Sequence, residues 1–201
     1  MKFYKTKYSE NFNLAFSTIL EVETTKITNT VNDAGGLTLC GITRNAFPES
    51  TIWKYVDNGT LKVGNIVPDN IIETEVADIY YKHFWDAFSL DEVTYALAYE
   101  IFEQAINIGA RTTIRNLQRA LNVLNFDTET NSRIDADLTL DGVWGRNTKN
   151  RLLKYKSQYK FLSKAMNVLQ GTYYLDLASS KVLNRTFVKG WLDKRVTLSI
   201  A

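Results

Sequence analysis

Between Thr24 and Thr43 the chain drops the helical period that governs most of its 201 residues. That run, TTKITNTVNDAGGLTLCGIT, is dense in Thr, Asn and Gly with β-branched residues between, the composition of a loop and a small hairpin. On either side, apolar residues recur at helical spacing. Ser9 reads as an N-cap opening a helix to about Glu23, and further helices are predicted at about 70–88, 92–108, 112–124, 147–156 and 158–179. Residues 50–69 read as irregular, with turn signals at Asn58-Gly59 and Pro68. Residues 125–142 read as a polar loop ending in Asp141-Gly142, and a short tail with Trp191 closes the chain. The expected class is mainly α with a short β-hairpin. With 45% hydrophobic residues, two prolines and no Pro/Gly/Ser-rich linker, compact lobes are expected rather than separated beads.

The single cysteine, Cys40, excludes an internal disulfide and fits folding in a reducing compartment. The N-terminus is basic but no apolar run follows it, and no stretch approaches the ~20 apolar residues that span a bilayer. Synthesis in the cytoplasm without stable membrane insertion is therefore expected. Charge is split along the chain. Residues 1–110 hold 8 Lys/Arg against 15 Asp/Glu, and residues 111–201 hold 16 against 7. Two readings stay open: an ordinary solvated surface, or a basic face meeting an anionic envelope. Nucleic acid is not expected as a partner, because no zinc-finger spacing or aromatic RNA-binding signature accompanies the charge.

The most informative local chemistry closes the first helix. At ~100° per residue, Phe12, Phe16, Ile19 and Leu20 form one apolar stripe; Glu23 falls inside it and Glu21 points away. Removing a carboxylate from water raises its pKa, which a general acid working near neutrality requires. An ion pair, or an acid bending back to water, is the competing reading. Downstream stand Asp33, Gly35-Gly36, Thr38 and Gly41-Ile42-Thr43. A fixed helix-end acid facing a second carboxylate on a glycine-supported hairpin is the arrangement glycosidases need. Asp33 equally suits a turn-forming role before the two glycines.

Those residues resemble the opening of glycoside hydrolase family 108, lysozyme-like N-acetylmuramidases of phage endolysins and secretion-associated proteins. The likeness begins at FNLAFSTILEVE and VNDAGGLTLCGIT. It continues through IYYKHFWDAF and LAYEIFEQAINIGARTTIRNLQRALNVL. It closes with LTLDGVWGRNTKNRL and FVKGWLDKRV, similar to the family's C-terminal peptidoglycan-binding-type region. The resemblance implies a lysozyme-like helical fold with the hairpin beside an active-site cleft. It also implies a catalytic lobe at 1–110 and a peptidoglycan-binding-type lobe at 111–201. The implied reaction is cleavage of the β-1,4 bond between N-acetylmuramic acid and N-acetylglucosamine. Glu23 is then the general acid, with Asp33 and Thr38 completing the catalytic set and no cofactor or metal. Peptidoglycan glycan strands are the implied partner, met at the cell wall or periplasm after release by a holin or secretion machinery. The family usually has two glycines and an aromatic after the glutamate, where this chain has Thr24, Thr25 and Lys26. A non-catalytic wall-binding or secretion-scaffold protein of the same fold is the alternative.

Trp53 and Tyr55, in the irregular region bordering the expected cleft, are the sugar-platform candidates, whereas Trp85, Trp144 and Trp191 read as core anchors. Gln104 shares a helical face with Leu97, Ile101 and Ile108; with Asn107 it matches the family's polar positions, as cleft lining or as structural bridging. Glu103 reads as surface, His83 as packing. Asp135, Asp137 and Asp141 lack the glycine and closing glutamate of a calcium loop and read as a solvated loop.

Overall fold

The computed structural model describes residues 2–29 and 36–196, which fall into two compact units divided between residues 87 and 88. The fold is mainly α with one small antiparallel sheet, the lysozyme-like class expected. No helix among the described residues is long and apolar enough to cross a membrane.

In the first unit, α1 (Glu10–Val22) starts where expected. Ser9 is extended and its hydroxyl accepts from the Phe12 amide at 3.2 Å, satisfying one of the otherwise unpaired first-turn donors. Phe12, Phe16, Ile19 and Leu20 are all buried, as the period requires. They meet a helical run at 69–88 built from α3 (Asp69–Ile71) and α4 (Ala77–Tyr80), each followed by a wider π-turn, at Ile72–Val76 and Tyr81–Trp85. The π-turns bring residues five apart onto one face, so Tyr80 and Trp85 both reach the aromatic core. Phe16 meets Tyr80 at 5.4 Å and Phe12 meets Trp85 at 5.6 Å between ring centroids, edge to face in each case.

The glycine- and threonine-rich interruption forms three short strands, one more than a hairpin. β1 (Thr28–Asn29), β2 (Leu37–Leu39) and β3 (Ile42–Thr43) pair antiparallel in that order, with Thr28 opposite Thr38 and Leu39 opposite Ile42. Between the last two strands only Cys40 and Gly41 remain, both at positive φ, 50° and 76°. A two-residue connection of this kind matches the right-handed strand twist. Glycine tolerates the conformation; at Cys40 it costs about 1 kcal/mol. A short helix, α2 (Lys54–Asp57), follows.

The second unit is built on α5 (Tyr95–Asn107), α6 (Ala110–Val123) and α8 (Tyr159–Ser180), which pack on one another. Leu97, Ile101, Leu117, Leu121, Leu162 and Met166 fill the space between them. α7 (Arg146–Lys154) lies against α6. The expected tail is instead a further helix, α9 (Arg185–Arg195), packed on α8 through Trp191 on Tyr174 at 5.2 Å. That helix overturns the surface reading of Glu103. Arg195 meets Glu103 at 3.2 Å, Gln170 donates to its other oxygen, and the residue is 5% exposed.

The loop at 125–145 is not merely solvated. Three amide side chains on and just after α6 hold its backbone. Asn122 donates to Leu138 O and accepts from Leu138 N, at 2.8 and 2.7 Å. Asn125 does the same with Asp135, at 2.7 and 2.9 Å. Gln118 accepts from Gly142 N at 2.9 Å and donates to Asp141 Oδ1 at 2.7 Å. Asn122 and Asn125 each replace a missing backbone ladder with a two-bond amide pair, and Gln118 ties a backbone amide and a carboxylate together.

Candidate active site

Glu23 is the residue at which α1 stops. Its amide still donates to Ile19 O at 2.9 Å, but its own ψ of 144° turns the chain into extended structure. That exit is fixed from outside the helix. Val67 N donates to Thr25 O, Ile27 N donates to Asn65 O, and Gly64 N donates to Ile27 O, all between 2.8 and 2.9 Å. Residues 25–27 are therefore held by the backbone of residues 64–67. Glu23 is half-buried rather than sunk in the core, because it sits at the open end of the stripe, whereas Glu21 is exposed.

The sheet approaches this carboxylate through the Cys40–Gly41 turn. A Cβ on Gly41 would stand 3.4 Å from Glu23 Oε2 and 2.6 Å from Tyr80 Oη. Tyr80, buried on α4, donates its hydroxyl to Cys40 O at 2.9 Å and so fastens the turn to the helical run. Glycine at 41 serves both demands, the positive φ and the close approach. Burial pushes the Cys40 thiol up to about 12, so it stays protonated and unreactive beneath the turn. Thr38 lies on β2, half-buried, its hydroxyl donating to Gly36 O at 3.1 Å. Glu23 and Thr38 thus belong to one helix-end and sheet arrangement. Asp33 and Gly35 lie outside the described residues.

The expected aromatic platform is different. Trp53 is 2% exposed and its indole N–H donates to Phe47 O at 2.7 Å, so no ring face is open to a sugar. The reason is local: its 3₁₀ turn, Thr51–Trp53, points Ile52 and Trp53 together into the core. Tyr55 is half-buried; its hydroxyl donates to Glu75, which Lys54 also contacts at 2.9 Å. His83 is exposed and packs edge-on to Phe47 at 5.1 Å.

Gln104 and Asn107 belong to the second unit, where internal acceptors take up their amide N–H groups, while Gln104 Oε1 is buried without a hydrogen-bond partner. Gln104 is fully buried and donates to Met166 O at 2.9 Å and Glu100 Oε1 at 2.8 Å, bridging α5 to α8. Of the two readings left open for it, that bridge fits the structural one. Asn107 donates to Glu103 O and Oε1, at 2.9 and 2.8 Å. Among the described residues, no group of three or more His, Cys, Asp or Glu side chains is arranged to hold a metal ion. Sequence reasoning missed Tyr80, whose only signal was its place in an amphipathic run.

A half-buried acid ending the first helix, set against a small antiparallel sheet in a helical unit, defines a lysozyme-like protein. Residues 16–109 match the family model described as glycosyl hydrolase 108, and residues 112–196 match the one described as predicted peptidoglycan domain. The chain thus carries a region of the glycosyl hydrolase 108 type followed by a peptidoglycan domain, in that order. Among solved structures it is similar to SagA of Brucella abortus. The two are 18% identical over 91% of this chain and 88% of that one, with a TM-score of 0.56, a likeness of fold. No curated protein matches the chain.

Proposed function

We propose that the chain is an N-acetylmuramidase that hydrolyses the β-1,4 bond between N-acetylmuramic acid and N-acetylglucosamine in peptidoglycan. The observation that supports this most is the seat of Glu23. It is held by a helix end on one side and by the Gly41 turn on the other, with its carboxylate at the edge of the core. The match to the glycosyl hydrolase 108 model supports a glycosidic reaction, and the match to the peptidoglycan domain model supports peptidoglycan as the polymer.

In this reading Glu23 protonates the leaving glycosidic oxygen, and Asp33 and Thr38 orient water or stabilise the developing positive charge. Tyr55 borders the glycan. Gln104 and Asn107 support the second unit from inside. The enzyme is made in the cytoplasm and reaches the wall through a holin or secretion machinery, as the family resemblance implies.

The test is digestion of purified sacculi, borohydride reduction, and mass spectrometry of the released muropeptides. Reduced N-acetylmuramic acid ends support the proposed bond. Reduced N-acetylglucosamine ends assign the other bond. No new reducing ends at all would favour the non-catalytic wall-binding reading, to which Thr24-Thr25-Lys26 in place of the family's glycine-glycine-aromatic run lends weight.

A further inference from the structure

A groove of about 590 Å³ lies within the second unit, between the 135–145 loop and the start of α7. Its charged lining is mixed, so the groups already engaged must be separated from those still open. The acids are engaged. Asp135 takes Lys154 Nζ on both oxygens at 2.8 Å, Asp137 takes the Asn125 amide at 3.0 Å, and Asp141 takes Gln118 and the Val143 amide. The donors are not. Arg146 is exposed and, among the described residues, makes no ion pair or hydrogen bond. Arg151 has a side chain only 10% exposed. Its Nη2 donates to Ala136 O at 2.7 Å and its Nε lies 3.5 Å from Asp135, but Nη1 is buried with no partner.

The third open group is the helix itself. α7 runs nine residues from a Gly145 cap that offers no side-chain acceptor, so its first-turn amides and the positive end of its dipole face the groove. An uncapped helix start beside two under-used guanidiniums calls for an acceptor carrying negative charge.

We propose that this groove binds a free carboxylate of the peptidoglycan stem peptide, seated on the α7 amide end and gripped by Arg146 above the half-satisfied Arg151. The choice of ligand rests on the wall-directed reading above; the site itself rests on this unit's geometry alone. Such a contact would hold the wall through its peptides, apart from any contact with the glycan.

The test is an amide NMR titration of the full-length protein with the soluble tetrapeptide L-Ala-γ-D-Glu-L-Lys-D-Ala. The same peptide with its carboxylates amidated, and inorganic phosphate, serve as the other arms. Neither peptide contains a glycosidic bond, so the outcome is independent of whether the chain hydrolyses glycan. The expected result is shifts centred on the Gly145, Arg146 and Asn147 amides. Affinity should fall about tenfold with the amidated peptide or with Arg146→Ala, the worth of one charge-assisted hydrogen bond. Arg146 is exposed, so its replacement leaves the fold in place, checked by an unchanged spectrum elsewhere. Equal affinity for the free and amidated peptides would overturn the proposal. So would no loss in Arg146→Ala, the absence of binding, or tighter binding of phosphate than of the peptide.

Discussion

The Glu23 carboxylate and the backbone of Gly41 share one small space: Oε2 lies 3.4 Å from where a side-chain carbon on residue 41 would begin. The same point is 2.6 Å from the Tyr80 hydroxyl. Alanine at 41 would therefore meet three penalties: the positive φ, the hydroxyl, and the acid it crowds. Gly41→Ala is expected to lose about 2–3 kcal/mol of stability and most of the hydrolytic activity. Adding Tyr80→Phe removes the hydroxyl from the clash. The double variant should recover part of the lost melting temperature, with non-additivity in the stability cycle. Strict additivity would show that the two residues do not share this space.

Asn125 provides a separate test of the second unit. It is 1% exposed, exchanges two hydrogen bonds with the Asp135 backbone, and accepts from the Tyr155 hydroxyl at 2.6 Å. Asn125→Ala leaves those loop groups without partners, and an expected loss of about 2–4 kcal/mol follows from unsatisfied buried polar groups. Chemical denaturation measures it directly. A loss under about 0.5 kcal/mol, the scale of an ordinary surface change, would mean that the loop is not held this way.

Glu100 gives a pH signature. Burial pushes its carboxyl up to about 7, Glu103 adds to the rise, and hydrogen bonds from Gln104 and Asn167 oppose it. The folded state thus holds this proton more tightly than the unfolded chain, whose value is near 4.5. The stability contribution is complete below the unfolded value and disappears as pH rises through the folded one. Between about pH 5 and about pH 8 the wild type should lose on the order of 2–3 kcal/mol more than Glu100→Gln. Parallel pH profiles for the two proteins would remove Glu100 as the cause.

Trp53 separates a packing role from a sugar contact. Its indole is buried and bonded to Phe47 O, so Trp53→Ala is expected to cost about 3–5 kcal/mol through cavity formation. Trp53→Phe should keep glycan affinity in the folded protein. A selective loss of affinity with unchanged melting would restore the platform role expected from the sequence.

The apolar stripe of α1, its Ser9 cap and the position of Glu23 were legible because they depend on residues within one helix, where the period decides. What escaped depends on contacts between segments distant in sequence. The apolar residues of α9, Phe187, Val188, Trp191 and Leu192, keep helical spacing, but the stripe is short, has Gly190 inside it and leaves Phe187 exposed, so the segment read as a tail. With that helix unforeseen, Glu103 counted as surface, although Arg195 lies 92 positions away in sequence and covers it. The 125–145 loop looked solvated because much of its order comes from amide side chains, Gln118 and Asn122 on α6 and Asn125 at the loop's own start, which leave no apolar period to read. Trp53 misled because turn residues around it resemble a cleft margin, while the side chain direction is set by the 3₁₀ turn. Glu23 could be placed from periodicity, but the Tyr80–Gly41 enclosure around it could not, since one partner lies on each of two elements.

The central claim is that Glu23, not Glu21, delivers the proton. The most direct measurement is the rate of reducing-end release from purified peptidoglycan by wild type, Glu23→Gln and Glu21→Gln, with melting curves showing all three folded. A fall of ~10²–10⁴-fold is expected for Glu23→Gln, the usual worth of general acid catalysis, with near wild-type rates for Glu21→Gln. A folded Glu23→Gln protein that releases reducing ends at the wild-type rate, or a Glu21→Gln protein that is the weaker of the two, would contradict it.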